Sequence, residues 1–110
     1  RNIAVRADNG SVGETLLHGT LASGAAATGQ AVGLLAPGQA ADWIVLDAQA
    51  PVFAGARPAD VADRWLFAGN RPLVREVRVA GEAVVRGGRH RGREAIAARY
   101  RSTVATLLAD

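Results

Sequence analysis

The sequence contains no cysteine, no methionine and no lysine, and each absence closes off a class of chemistry. Without cysteine neither a disulfide framework nor a thiolate metal site is possible, which leaves the redox compartment open and a cytoplasmic home as the default. Every basic residue other than two histidines is arginine, a side chain that does not deprotonate in proteins, so the high pI overstates the attraction to anions. The net charge is only +3, and aromatic residues make up 5% of the chain. Nucleic-acid binding, which needs clustered charge interleaved with stacking rings, is therefore not expected. No window approaches the roughly 18 to 20 uninterrupted apolar residues of a membrane span, and the first residues lack the charged-then-apolar layout of a signal peptide. The chain reads as soluble. Because methionine is missing even at position 1 and the chain opens on Arg1-Asn2-Ile3, it reads as a truncated or proteolysed product.

What is present is an apolar half, 49% of 110 residues, enough for one domain with a modest core. Arg1 to Gly10 has no usable period and ends in the turn signal Asp8-Asn9-Gly10. Ser11 and Glu14 have the spacing of a capping box, so a helix is predicted to start at Val12 and run to Thr28, with Gly29 as its C-cap. Leu17, Leu21 and Ala25 form its apolar stripe. Gly13, Gly19 and Gly24 weaken such a helix by about 1 kcal/mol each relative to alanine, so close packing against another element is expected. Pro37-Gly38 predicts a turn, and Trp43-Ile44-Val45-Leu46 an unbroken apolar strand of the kind covered on both faces, stopped by Asp47. Ala48 to Pro58 reads as a loop. Asp60 to Ala68 predicts a short helix with Val61, Trp65 and Phe67 partly buried. Leu73 to Gly87 predicts a hairpin whose two-residue turn is Ala80-Gly81, ended by Gly87-Gly88 and followed by a basic loop. Glu94 to Leu108 is helical by period, with Ile96, Tyr100, Val104, Leu107 and Leu108 in one stripe.

The residues that could carry chemistry do not assemble into a site. His18 and His90 lie far apart in sequence, and neither is read as having a partner at the spacing of a helical metal pair. Ser11, Ser23 and Ser102 fall on helix or cap positions without the glycine-flanked elbow that exposes a nucleophile. The glycines from Gly81 to Gly88 follow a strand that feeds a hairpin rather than a helix, so they are turn chemistry and not a phosphate cradle. Asp42 and Asp47 bracket the strand on opposite faces and cannot act as an acid/base pair. Asp42 is expected to bond turn amides after Pro37-Gly38, and Asp47 to terminate the strand. Arg86, Arg89, His90, Arg91 and Arg93, with Arg99 and Arg101 beyond, read as a solvated face or a contact with an acidic surface of the same protein.

The shape-giving residues carry a resemblance. "GLLAPGQAADWIVLD" followed, after a spacer, by "VREVRVAGEAVVRGGRH" resembles the C-terminal signature of the metal-dependent amidohydrolase superfamily, over roughly Gly33 to His90. "TLASGAAATGQAVGLL" looks like the last barrel helix leading into that signature. Within the superfamily, "DRWLFAGNRPL" and the closing "REAIAARYRSTVATLL" are similar to the formimidoylglutamate deiminases of bacterial histidine degradation. The resemblance implies an α+β fragment: residues 1–33 the last loop and helix of a (β/α)8 barrel, and residues 34–110 strands of a composite β-sandwich with a C-terminal helix. It implies a zinc-dependent hydrolase of C–N bonds, cytoplasmic and homodimeric as the whole protein. The family's metal ligands all lie upstream of Arg1, so no catalytic, cofactor-binding or metal-binding residue is carried over. Arg1 to Asn9 could line the last barrel loop. The implied partners are the rest of the parent chain and its small-molecule substrate. The alternatives are the tail of another amidohydrolase, of the cytosine/guanine deaminase or imidazolonepropionase kind, or a non-enzymatic interaction module. An orphaned tail is expected to expose apolar strand edges and self-associate, whereas a module would unfold cooperatively.

Overall fold

A computed structural model of the chain describes residues 11–109; the turn signal at Asp8-Asn9-Gly10 and the reading of Arg1 to Asn9 as a loop lining fall outside these. Helix α1 spans Val12–Thr28. Ser11 is extended, and its Oγ accepts the Glu14 amide at 3.0 Å, which satisfies one of the orphan donors of the first turn. At the other end Gly29 is left-handed at φ 64° and donates its amide to Ala25 O at 3.0 Å. Both ends therefore lie where the sequence predicts them. The close packing anticipated for the glycines holds at Gly13, whose amide donates to Asp63 Oδ1 at 2.6 Å. A Cβ at Gly13 would stand 2.6 Å from Asp63 N. At Gly19 and Gly24 nothing lies within 4 Å, so the expectation fails there among the described residues.

After α1 the chain turns at Ala36 to Gln39, where the Gln39 amide donates to Ala36 O at 3.1 Å and Gly38 sits at φ 85°. Proline followed by a positive-φ glycine is a type II turn. Strand β1, Trp43–Leu46, follows. It is an edge of a four-stranded antiparallel sheet ordered β1-β2-β3-β4, with β2 Val74–Val79, β3 Glu82–Arg86 and β4 Arg89–His90. The register pairs Trp43 with Arg78 and Ile44 with Val77, and a bulge sits between Val45 and Leu46. The expected cover on both faces of β1 is not met: Ile44 is 43% exposed and Val45, pointing the other way, 39%. Its apolar run specifies a double burial that the described residues do not supply.

Ala80 and Gly81 make the β2–β3 turn with φ 49° and 80°. Two positive φ values identify a type I′ turn, the geometry that matches strand twist. Asp42 serves this turn rather than the Pro37-Gly38 turn, contrary to the sequence reading. Its Oδ1 accepts the Ala80 amide at 2.7 Å, and the neighbouring Ala41 carbonyl accepts Gly81 N–H at 2.7 Å. The earlier turn closes on its own backbone and leaves the carboxylate free to reach a turn amide 38 residues away. An alanine in the left-handed region costs about 1–2 kcal/mol. Ala80→Gly is therefore expected to slow local opening of the hairpin by removing that strain, less the entropy a glycine adds to the unfolded chain. Faster exchange of the Val79 and Gly81 amides in the variant would contradict it.

Gly87-Gly88 does not end the sheet, as the sequence reading has it. At φ 54° and 74° these glycines make a second tight reversal, and the "basic loop" begins as β4, with Arg86 opposite Arg89 and Val85 opposite His90. Two residues are too short for any period to reveal a strand. The loop of residues 48–58 also holds more order than predicted: Pro51–Phe53 and Pro58–Asp60 are single 3-10 turns. Phe53 is the one buried apolar side chain among the described residues, at 9% exposure. Arg64 holds its loop by donating to Val52 O at 3.1 Å and Ala54 O at 2.8 Å.

Helix α2, Val61–Phe67, packs against the start of α1. Trp65 is half-buried, but Phe67 is 59% exposed, contrary to the partial burial expected of it. Two residues apart on a helix means about 200° of rotation, so one side cannot bury both. Helix α3, Arg93–Leu108, begins one residue before the predicted start, ends where predicted and lies largely uncovered. No helix of the described residues is long and apolar enough to cross a membrane. The accessible surface is 8690 Å², against about 5,700 Å² for a compact monomer of this mass.

Candidate functional site

The first turns of α1, strand β1 and helix α2 converge on a groove of 290 Å³. Leu17, Ile44, Leu46 and Trp65 line it with apolar surface, and Glu14 and His18 are its charged or titratable lining residues. Capping by Ser11 fixes the first turn of α1, and the Gly13 contact with Asp63 fixes its distance from α2, so the groove geometry follows from those two devices. His18 Nε2 lies 3.8 Å from Glu14 Oε1 with both side chains well exposed. The sequence reading gave His18 no partner; the four-residue spacing from Glu14 was the signal that could have found one. A solvated pair of this kind is screened and does not by itself activate a nucleophile.

The remaining candidates are occupied structurally. His90 Nδ1 accepts the Gly92 amide at 3.0 Å, which ties the ring to the approach of α3. Ser11 caps α1, and Asp47 Oδ1 accepts the Gln49 amide at 3.1 Å in a side-chain turn at the end of β1. Ser23 and Ser102 are exposed on helices. Asp42 and Asp47 serve separate turns, so the structure does not bring them together. Several of the arginines are engaged: Arg89 with Glu94, and Arg91 with Glu82 at 3.3 Å. Arg78 donates to Glu76 at 2.5 Å and to Gly81 O at 3.0 Å while its guanidinium lies 5.6 Å from the Trp43 ring centroid. Those contacts brace the same hairpin turn that Asp42 holds. Among the described residues no three His, Cys, Asp or Glu side chains gather where they could hold a metal ion.

One carboxylate is electrostatically distinct. The side chain and the backbone amide of Arg57 both donate to Asp60, with contacts of 2.9 to 3.2 Å, and hold its pKa down to about 2. A depressed carboxylate adds stability above its unfolded value, 3.8, and loses it as pH falls through about 2. Arg57 is exposed and Asp60 half-buried, and solvent screens such a pair, so the effect on the fold is small. A carboxyl NMR titration is expected to place the Asp60 midpoint well below the ordinary value of 3.8, and an ordinary midpoint would rule the fork geometry out.

No family model matches the chain. Over 108 residues, 98% of its length, the chain is 45% identical to the formimidoylglutamate deiminase of Pseudomonas aeruginosa. The chain is similar to part of that deiminase. It spans 24% of the length of this curated relative, so about three-quarters of the deiminase has no counterpart in the 110 residues. The match bears out the resemblance read from "DRWLFAGNRPL" and the closing helix, and it runs through α1, all four strands and α3. A deiminase is a hydrolase acting on a C–N bond.

Proposed function

We propose that the chain is the C-terminal part of a formimidoylglutamate deiminase. The observation that carries this reading is the 45% identity sustained over 98% of the chain. The parent hydrolyses the formimino C–N bond of its substrate with release of ammonia, in the degradation of histidine. Residues 1–33 end its barrel domain, α1 being the last barrel helix, and residues 34–110 contribute β1 to β4 to a composite β-sandwich closed by α3. Zinc belongs to the parent. The described residues offer no ligand set that fits it, so the metal and the substrate pocket are assigned to the part of the parent upstream, and no catalytic step is assigned to any residue of this chain. The parent is a cytoplasmic homodimer in this reading, and its interactions are with its own remainder and a small molecule.

The role of the chain is architectural. Ala41 and Asp42 lock the Ala80-Gly81 turn to the start of β1, which fixes the sheet as one plate. The test is ammonia release from N-formimidoyl-L-glutamate by the full-length protein, by that protein after metal chelation, and by the 110-residue chain. Activity is expected in the first alone. A full-length protein inactive on this substrate, or an active isolated chain, overturns the proposal.

A further inference from the structure

The ring of His90 holds the entry to α3. Its Nδ1 accepts the Gly92 amide at 3.0 Å, and a Cβ at Gly92 would stand 3.4 Å from both Nδ1 and Cε1, so ring and backbone are in close contact. Gly92 is the N-cap of α3 and, being glycine, supplies no side-chain acceptor to the first turn. Among the described residues the His90 ring is the one side chain bonded to it. An imidazole that accepts at Nδ1 is neutral, because protonation makes both ring nitrogens donors. We propose that the contact between His90 and Gly92 is an acid-sensitive latch. Protonation of the ring sets a donor against a donor and releases the first turn of α3.

The surroundings of the ring act in the same direction. Strand β4 pairs with β3, and the row that crosses the sheet from His90 is Val85, Val77 and Ile44, which carries no charge. The charged residues of β3 are Glu82, which Arg91 engages, and Arg86, which stands opposite Arg89. On the approach to α3, Arg91 and Arg93 are cationic, and Glu94 is engaged by Arg89. His90 has no carboxylate in ion-pair contact among the described residues. An imidazolium there meets an arginine on either side in sequence and the positive end of the α3 dipole, and each opposes the charge. The latch is closed while the ring is neutral and opens as pH falls and the ring takes a proton, histidine being the side chain that changes charge between roughly pH 5 and 8. The inference stands on this contact and not on which reaction the full-length protein performs.

The test is hydrogen–deuterium exchange of the full-length protein at about pH 5.5 and about pH 7.5, toward the two ends of that range, with each rate corrected for its intrinsic pH dependence. Residues 91–100 are the reporter, and the β2–β3 hairpin is the internal reference. In the unmodified protein the reporter is expected to lose protection about fivefold at the lower pH, the weight of one ordinary hydrogen bond. No such loss is expected in the hairpin or in His90→Asn, since asparagine keeps a side-chain acceptor for the amide two residues on and does not titrate. Equal protection of the unmodified reporter at both pH values overturns the inference. An equal acid-induced loss in His90→Asn also overturns it, because another group then carries the response. So does a loss of the same size in the hairpin, because acid then loosens the sheet as a whole.

Discussion

Gly13→Ala is expected to loosen the junction of α1 and α2 by about 2–3 kcal/mol, although alanine is the better helix former. Two effects oppose each other. Alanine in a helix gains about 1 kcal/mol over glycine. Against that, the added Cβ would lie 2.6 Å from Asp63 N and 2.7 Å from Ala62 C, both backbone atoms that cannot swing aside as a side-chain tip can. Overpacking of this kind costs about 1–3 kcal/mol. Moving α2 away also breaks the bond from the Gly13 amide to the Asp63 carboxylate, and a hydrogen bond to a charged group contributes about 1.5–3 kcal/mol. The clash therefore outweighs the propensity. Amide exchange in the first two turns of α1 and in α2 measures it, and exchange as slow as in the parent sequence would contradict the contact. Gly24→Ala supplies the contrast, since nothing lies within 4 Å there. In the 110-residue chain it is expected to raise helix content.

Asp42→Ala is expected to free the hairpin turn at a cost of about 1–2 kcal/mol, the lower part of the range for a charged acceptor because the site faces solvent. The substitution leaves the Ala80 amide without its partner in a turn whose first central residue is already strained at φ 49°. Exchange of the Ala80 amide should accelerate roughly tenfold, with Asp42→Asn intermediate because it keeps the acceptor and loses the charge. Equal exchange in Asp42→Ala and the parent sequence would show that the Ala41 carbonyl and the Arg78 contacts hold the turn unaided.

What the sequence made legible follows from locality. Ser11 and Gly29 bound α1 because caps are read from residues three or four positions away, and Ala80-Gly81 announces its hairpin because two-residue reversals have few solutions. The errors are of another kind. The reach of Asp42 to Ala80 and of Asp63 to Gly13 spans 38 and 50 residues, and nothing local distinguishes a carboxylate that caps its own turn from one that caps a distant turn. The burial of Phe53 depends on Arg64 pinning the loop backbone, which no period encodes. The apolar runs of β1 and α3 were recognised correctly as elements, yet the described residues do not supply the cover those runs imply. The candidate site was legible mainly as a lack of convergent chemistry, and local pairings such as Glu14–His18 and Arg57–Asp60, four and three residues apart, went unread.

The central claim is that these elements form part of a core completed by other parts of a longer protein. Urea unfolding of the isolated 110-residue chain, followed by circular dichroism alongside sedimentation at several concentrations, tests it most directly. A part of a core should unfold in a broad transition with a shallow denaturant slope and associate as concentration rises, because little apolar surface is buried to be exposed cooperatively. A monodisperse monomer with one sharp transition, and the slope of roughly 1–3 kcal/mol/M in urea typical of small proteins, would contradict the account.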